Sequence, residues 1–78
     1  KGAVGHLMGA AGTAEAIASV LALRDGLVPP TANHAEPDPE CPLRIVAGEP
    51  LRSPLRAVLS NSAGIGGTNA ALVLTQPE

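Results

Sequence analysis

Two short stretches of this sequence carry residue types that could do chemistry. The first is Gly5-His6, with Lys1 five positions upstream of the histidine, and the second is the glycine-rich segment 63–69, which reads Ala-Gly-Ile-Gly-Gly-Thr-Asn. A neutral imidazole can hydrogen-bond to a carbonyl oxygen and polarise it. Glycines in a tight loop let backbone N–H groups approach a ligand oxygen closely. Both stretches are therefore typical of a site that acts on a carbonyl oxygen.

A helix is predicted directly after the histidine. The apolar run 13–23 has the helical spacing of three and four, and Asp25-Gly26 followed by Pro29-Pro30 marks its end. The start is open between Thr13 as an N-cap and a beginning near Leu7. A second side of the helix carries small residues, so a neighbouring backbone could pack closely there. The expected core face consists of Ala10, Ala14, Ile17, and Val20 or Leu21, and the small-residue face of Gly9, Gly12 or Thr13, and Ala16.

The position of His6 allows two interpretations. At the N-terminus of a helix, unpaired N–H groups and the helix dipole disfavour a protonated imidazole and leave a neutral, hydrogen-bonding ring. Alternatively, His6 is a core histidine whose polar atoms are satisfied inside the protein. Its surroundings in the sequence do not decide between the two.

The C-terminal part of the sequence predicts a hairpin. Segments 57–62 and 70–74 are nearly unbroken apolar runs, as expected for strands that are covered on both faces. The glycine-rich segment between them has three interpretations: a phosphate cradle, a tight turn without chemistry, or an oxyanion site. It lacks the P-loop lysine and precedes a strand instead of a helix, which argues against the phosphate cradle.

The middle of the chain is predicted to consist mainly of segments that connect the helix to the hairpin. Segment 27–31 is too proline-rich for a central strand and predicts an extended crossing segment, whereas 33–42 predicts a polar surface loop. His34 and Cys41 lie in that loop, but two such residues without further ligands make neither a metal site nor an activated thiol. Segment 43–47 predicts a short strand, and 48–54 a second connection, with Arg52 and Arg56 on the exterior.

The composition excludes several classes of protein. The chain has 78 residues with a net charge of -2, so it lacks the basic surface of a nucleic-acid binder. A single Cys provides neither a disulfide framework nor a zinc site. Segment 4–23 includes His6 and Glu15, which favours a buried helix over a membrane span. The sequence shows no signal-peptide pattern at its N-terminus, so cytoplasmic surroundings are the default expectation. Without Phe, Tyr or Trp the core would be marginal, so we expect a fragment of a larger domain.

Taken together, the motifs resemble the C-terminal part of the β-ketoacyl-acyl carrier protein synthases of the elongating, KAS II type. The resemblance spans essentially the whole chain, and its strength comes from several motifs in the right order. They are Lys1 with Gly5-His6 and Gly9-Ala10-Ala11-Gly12, Leu21-Ala22-Leu23-Arg24-Asp25, Pro29-Pro30-Thr31, Pro37-Asp38-Pro39, Asn61-Ser62, Gly64, and Gly66-Gly67-Thr68-Asn69.

The resemblance implies a fold and a reaction. Residues 1–78 would be the C-terminal part of the second thiolase-like domain of a longer chain, a layered α/β/α architecture with the Gly/Ala helix buried beside a mixed sheet. The family performs a decarboxylative Claisen condensation in fatty acid biosynthesis, between an acyl group on a cysteine and malonyl-acyl carrier protein. The implied partner is acyl carrier protein carrying acyl or malonyl groups, the implied assembly is a homodimer, and no cofactor or metal is implied.

Site residues carry over by their motifs. His6 resembles the second active-site histidine, which hydrogen-bonds the malonyl thioester oxygen. Lys1 resembles the active-site lysine, whose orienting, electrostatic role is tied to a carboxylate expected outside this chain. The backbone N–H of Ile65 resembles the second oxyanion-hole donor. The nucleophilic cysteine would lie upstream, since Cys41 matches a loop position, so this chain alone should be inactive.

Two positions depart from the family. Ala63 and Ile65 stand where members usually have Phe, the second Phe being the gate over the acyl pocket, in a loop formed here by Ala63, Gly64, Ile65, Gly66 and Gly67. The Gly-Ile-Gly-Gly-Thr-Asn version is also seen in polyketide ketosynthases. A ketosynthase or chain-length subunit of a polyketide synthase is therefore the first alternative, and a non-catalytic binding module the second.

Overall fold

The structure, a computed structural model that describes residues 1–77, contains an α-helix packed on a β-hairpin. A 3-10 turn at Met8–Ala10 leads into helix α1, Ala11–Asp25. The strands are β1, Leu27–Val28; β2, Leu51–Arg52; β3, Ala57–Ala63; and β4, Asn69–Thr75. The mixture of helix and strands confirms the α/β class in its coarse form.

Helix α1 starts and ends for different reasons. Its N-cap is Ala10, which offers no side-chain cap. Of the two starts that the sequence left open, the N-cap at Thr13 is wrong, and a beginning near Leu7 is closer, because the 3-10 turn follows Leu7 directly. Its end is as predicted: Gly26 adopts the left-handed conformation at φ 63° and its N–H donates to the carbonyl of Ala22. Arg24 in the last turn donates hydrogen bonds to the adjacent Asp25, which lower the pKa of that exposed carboxyl.

Replacing Gly26 by Ala should lower the free energy of unfolding by about 1 kcal/mol, because Ala is strained at positive φ. A Cβ at Gly26 would meet its nearest atom, the carbonyl oxygen of Ser53, at 3.6 Å, so the cost is backbone strain and not a clash. Gly26→Asn should cost less, since Asn tolerates this conformation. Chemical denaturation of both variants in a full-length protein measures the difference, and equal stabilities would contradict this reason.

The predicted hairpin is confirmed, with extended ends. Strands β3 and β4 pair antiparallel from Ala57 opposite Thr75 to Ala63 opposite Asn69. Only one face of the hairpin packs on α1. On the other face the cross-strand neighbours Leu59 and Val73 are 59% and 68% exposed. Residues 1–77 therefore cover one face of the hairpin, and the covering of both faces stays a prediction for a longer chain.

The expected core face of the helix is likewise left uncovered by this part of the chain. Ile17 and Val20 are 57% and 51% exposed, and the buried residues are Ala11 and Leu23. Of the small-residue face, Gly12 lies near the hairpin, since a Cβ on it would lie 3.8 Å from the hydroxyl of Ser62 on β3, whereas a Cβ on Gly9 would meet nothing within 4 Å. The helix thus turns Gly12 towards the hairpin and leaves Ile17 and Val20 exposed.

The connections differ from prediction in one respect. Segment 43–47 forms no strand, because the chain described here gives it only one backbone hydrogen bond to another segment, from the N–H of Thr31 to the carbonyl of Val46. Instead, β1 and β2, within segments predicted as connections, pair antiparallel. All strand pairs formed by residues 1–77 are antiparallel, so these residues do not make the predicted mixed sheet.

Other expectations hold. Segment 33–42 contains only turns and bends, and Arg52 and Arg56 are exposed. No helix in the described part is both long and apolar enough to cross a membrane.

Candidate functional site

The N-terminal segment places His6 just before the helix. Residues 1–5 form a closed turn in which the N–H of Gly5 donates to the carbonyl of Lys1 at 2.7 Å. Gly5 has φ 79° and Met8 has φ 53°, so the chain bends on both sides of the histidine. The His6 side chain is exposed and makes no hydrogen bond within residues 1–77. His6 is therefore not a core histidine in this structure, and both ring nitrogens are available to a ligand.

A small cavity lies beside this turn. It has a volume of about 160 Å³, and Lys1 and Glu15 contribute its two charged side chains. The two do not form an ion pair, since the single ion pair of the described residues joins Arg24 to Asp25 at the other end of the helix. The sequence analysis did not assign Glu15 to the site. The available signal was that it is the one carboxylate between Val4 and Arg24.

The glycine-rich loop between β3 and β4 is shaped by its own backbone. The N–H of Gly64 donates to the carbonyl of Thr68 at 2.7 Å, and that of Gly67 to the carbonyl of Gly64 at 3.3 Å. Gly66 and Gly67 have φ of 93° and 85°, which other residues rarely adopt. A Cβ at Gly64 would lie 3.1 Å from the carbonyl oxygen of Thr68, tighter than most real contacts.

Ile65 lies at the tip of this loop. Its side chain is fully exposed, and its backbone N–H has no acceptor within residues 1–77. Gly64 and Gly67 hold the loop closed without using that N–H. The loop can thus present one unpaired backbone donor to a ligand oxygen.

The packing of α1 on the hairpin brings both stretches to one end of the molecule. Gly12, in the first turn of α1, lies next to Ser62 near the end of β3, and the side-chain amide of Gln76 donates to the carbonyl of Leu23 at the other end. Strand β3 therefore runs antiparallel to the helix, and the loop after it returns to the end where His6 and Lys1 lie. No hydrogen bond joins the two stretches within residues 1–77.

The remaining candidate side chains do not form a site. Cys41 is exposed and unpaired with another cysteine in the proline-rich loop, and His34 is half-buried. Among the described residues no group of three or more His, Cys, Asp or Glu could hold a metal ion.

Comparison with known proteins identifies the family that this chain is similar to. A family model described as the β-ketoacyl synthase C-terminal domain matches residues 1–35, the stretch that contains Lys1, His6 and the whole of α1. The prediction that the chain resembles the C-terminal part of the β-ketoacyl-acyl carrier protein synthases is therefore confirmed for this stretch.

Curated relatives extend the match over the rest of the chain. A putative polyketide beta-ketoacyl synthase 1 of Streptomyces halstedii is 53% identical over 78 residues, all of this chain and 18% of the relative. The 3-oxoacyl-[acyl-carrier-protein] synthase 2 of Mycobacterium tuberculosis is 50% identical over 72 residues, 92% of this chain and 17% of the relative. Nodulation protein E of Rhizobium meliloti is 46% identical over 71 residues, which are 91% of this chain and 18% of the relative. The chain thus spans about 18% of the length of the curated relatives it matches.

Proposed function

We propose that this chain is the C-terminal part of a β-ketoacyl-acyl carrier protein synthase and contributes half of the machinery for a decarboxylative Claisen condensation. The observation that carries the proposal concerns the side chain of His6 and the backbone N–H of Ile65: neither has a hydrogen-bond partner within residues 1–77, and the two lie at the same end of the molecule. Both are donors that suit an oxygen gaining negative charge. The curated relatives named as synthases support the same reaction.

His6 and Lys1 serve the malonyl half-reaction in this proposal. His6 donates a hydrogen bond to the thioester oxygen of malonyl-acyl carrier protein, so that the enolate formed as carbon dioxide leaves is stabilised. Lys1 has an orienting and electrostatic role. Its place in the cavity that also contains Glu15 supports this role, because a carboxylate there could hold the ammonium group.

Ile65 serves the acyl half-reaction. The enolate carbon attacks the acyl thioester on a cysteine that residues 1–78 do not supply, and the cysteine thiolate leaves. The N–H of Ile65 donates to the oxyanion of that tetrahedral intermediate. The side chain of Ile65, with Ala63, Gly64, Gly66 and Gly67 in its loop, forms the gate of the acyl pocket. The chain by itself is inactive in this proposal.

A thiolase-like layered fold accounts for the surfaces that this chain leaves open. The helix exposes Ile17, Val20 and Leu21, and the hairpin exposes Leu59 and Val73. In the proposed architecture the rest of the synthase covers the helix and the hairpin, so that α1 becomes a buried layer and the hairpin joins a larger mixed sheet. Acyl carrier protein is the proposed partner and a homodimer the proposed assembly.

A polyketide ketosynthase or its chain-length subunit is the second candidate. A specific observation favours it: the polyketide synthase of Streptomyces halstedii aligns over all of this chain. The side chain of Ile65 also supports this second candidate, because an Ile at the gate covers less of a pocket entrance than the usual Phe, and it is fully exposed here. The two candidates share the chemistry and differ in the acyl groups they accept.

His6→Ala in a full-length protein tests the proposed function. We expect decarboxylation of malonyl-acyl carrier protein and condensation to fall about a hundredfold, since a placed donor contributes several kcal/mol to transition-state stabilisation. Acylation of the cysteine should remain close to wild type, because His6 is assigned to the malonyl oxygen. Carbon dioxide release and acyl-enzyme formation are measured separately.

His34→Ala is the matched control, since it removes the chain's other histidine from a loop outside the proposed site. It should leave both steps unchanged. Equal loss of acylation and decarboxylation in His6→Ala would show that His6 does not have the assigned role.

A further inference from the structure

The segment that carries Lys1 and His6 is fastened to the loop after Pro29-Pro30 by one side chain. Asn33 Nδ2 donates a hydrogen bond of 2.8 Å to the carbonyl oxygen of Gly2, 31 residues away in sequence. A carbonyl oxygen can only accept, so the amide nitrogen of Asn33 is the group that must face it. The bond therefore ties the N-terminal turn to a distant part of the chain.

Local geometry makes both partners difficult to replace. Asn33 has φ 64°, a left-handed conformation that Asn adopts several-fold more readily than most residues. A Cβ on Gly2 would lie 2.6 Å from the carbonyl oxygen of Ala32, closer than real contacts permit. The contact thus requires a short amide side chain on one side and glycine on the other.

The hydrogen bond between Asn33 and Gly2 affects the position of His6 through the closed turn of residues 1–5. Gly2 lies inside the turn that the Gly5 to Lys1 hydrogen bond closes, and His6 follows Gly5 directly. On the other side, the N–H of Thr31 donates to the carbonyl of Val46 at 2.7 Å and anchors the loop that carries Asn33. A shift of Gly2 would therefore move Lys1 and His6 together.

We propose, on the basis of the proposed function, that Asn33 is a positioning residue for the decarboxylation step. It touches no substrate. Its amide holds the turn of residues 1–5 in the place from which His6 reaches the thioester oxygen. Misplacement of a catalytic group by about 1 Å can lower a rate by about 10²-fold.

Two variants of Asn33 in the full-length protein isolate this bond. Asn33→Asp keeps size and tolerance of positive φ but replaces the donor by an acceptor that repels the Gly2 oxygen, whereas Asn33→Gly keeps the backbone conformation and removes the side chain. Ala35→Asp is the matched control, since it adds the same charge at an exposed position two residues further along. Gly2→Ala disturbs the same contact through its other partner, because the added Cβ would clash with the carbonyl oxygen of Ala32.

We expect roughly tenfold slower decarboxylation in Asn33→Asp, Asn33→Gly and Gly2→Ala, with acylation of the cysteine unchanged. The imidazole NMR signals of His6, assigned by their absence in His6→Ala, should shift in these three variants. Ala35→Asp should match wild type in all three measurements.

The outcomes separate this inference from the proposed function. If His6→Ala abolishes decarboxylation while the Asn33 variants retain it, the positioning role is wrong and the proposed function stands. If His6→Ala retains decarboxylation, the proposed function is wrong, and the NMR signals alone then decide whether Asn33 positions the ring. Parallel losses of acylation and decarboxylation in the Asn33 variants would show a general structural role and overturn the inference.

Discussion

Replacing Ile65 by Pro should lower the rate of condensation by about 10²- to 10³-fold, the cost typical of removing one oxyanion-hole donor. Pro deletes the backbone N–H of Ile65, at the tip of the glycine-rich loop, which has no partner within residues 1–77. The hydrogen bonds of Gly64 and Gly67 close the loop without that N–H, so they do not depend on it. Condensation is measured with the best acyl substrate in full-length protein.

Ile65→Ala is the control for this variant, because it shortens the side chain and keeps the N–H. It should retain the condensation rate, and thermal unfolding of both variants checks that the protein remains folded. A Pro variant that is folded and condenses at the wild-type rate would disprove the oxyanion role of Ile65.

The side chain of Ile65 should control a different property. Because it is fully exposed and does not support the loop, Ile65→Phe, alone or with Ala63→Phe, should leave the best rate nearly unchanged. An aromatic gate should instead narrow the range of acyl groups accepted, since a β-branched Ile is shorter and stiffer than Phe. Rates measured over a series of linear and branched acyl thioesters give the profile, and an unaltered profile would rule out a gate at this position.

The isolated 78-residue chain should show no cooperative thermal transition in dilute solution. Ala11 and Leu23 are the buried hydrophobic residues of the described chain, and neither the helix nor the hairpin encloses a core. The accessible surface is 6413 Å². A compact folded monomer of 7.7 kDa is expected to have an accessible surface of about 4,300 Å². The chain therefore exposes about 2,000 Å² more than a stable domain of the same mass.

Far-ultraviolet circular dichroism is the suitable measurement, since the chain has no aromatic residue to report on tertiary packing. A full-length protein that contains the same sequence is the control and should unfold cooperatively. A sharp transition for the isolated chain would show that its own contacts suffice.

Sequence signals were sufficient where structure is decided locally. The hairpin follows from two apolar runs around a glycine-rich segment, and the end of α1 follows from Gly26, because its left-handed conformation depends on neighbouring residues. Segment 43–47 shows where local sequence signals are no longer sufficient. Its alternation resembles a strand, but a strand needs a partner, and the partner is not determined by the segment itself.

The buried side of α1 was less predictable for a related reason. Periodicity identifies an apolar stripe but not the surface that it meets, and here the hairpin meets Gly12 while Ile17 remains exposed. The candidate site shows the same difference between residue types, which the sequence reveals, and their positions, which depend on packing. His6 and the glycine-rich loop were recognisable by type, but their common location depends on the antiparallel course of β3 along the helix. The bond from Asn33 to Gly2 left no sequence signal, since it joins residues 31 apart.

The antiparallel packing of α1 and β3 also restricts changes in chain length. Helix α1 has 15 residues, about 22 Å, and β3 has 7, about 23 Å, so the two elements are matched in length between their two ends. One residue inserted into β3 would exchange its two faces, and one inserted into α1 would rotate everything before it by about 100°. Insertions and deletions should therefore be tolerated in the loop after Asn33, residues 34–42, but not in either of these elements, even where single substitutions are harmless.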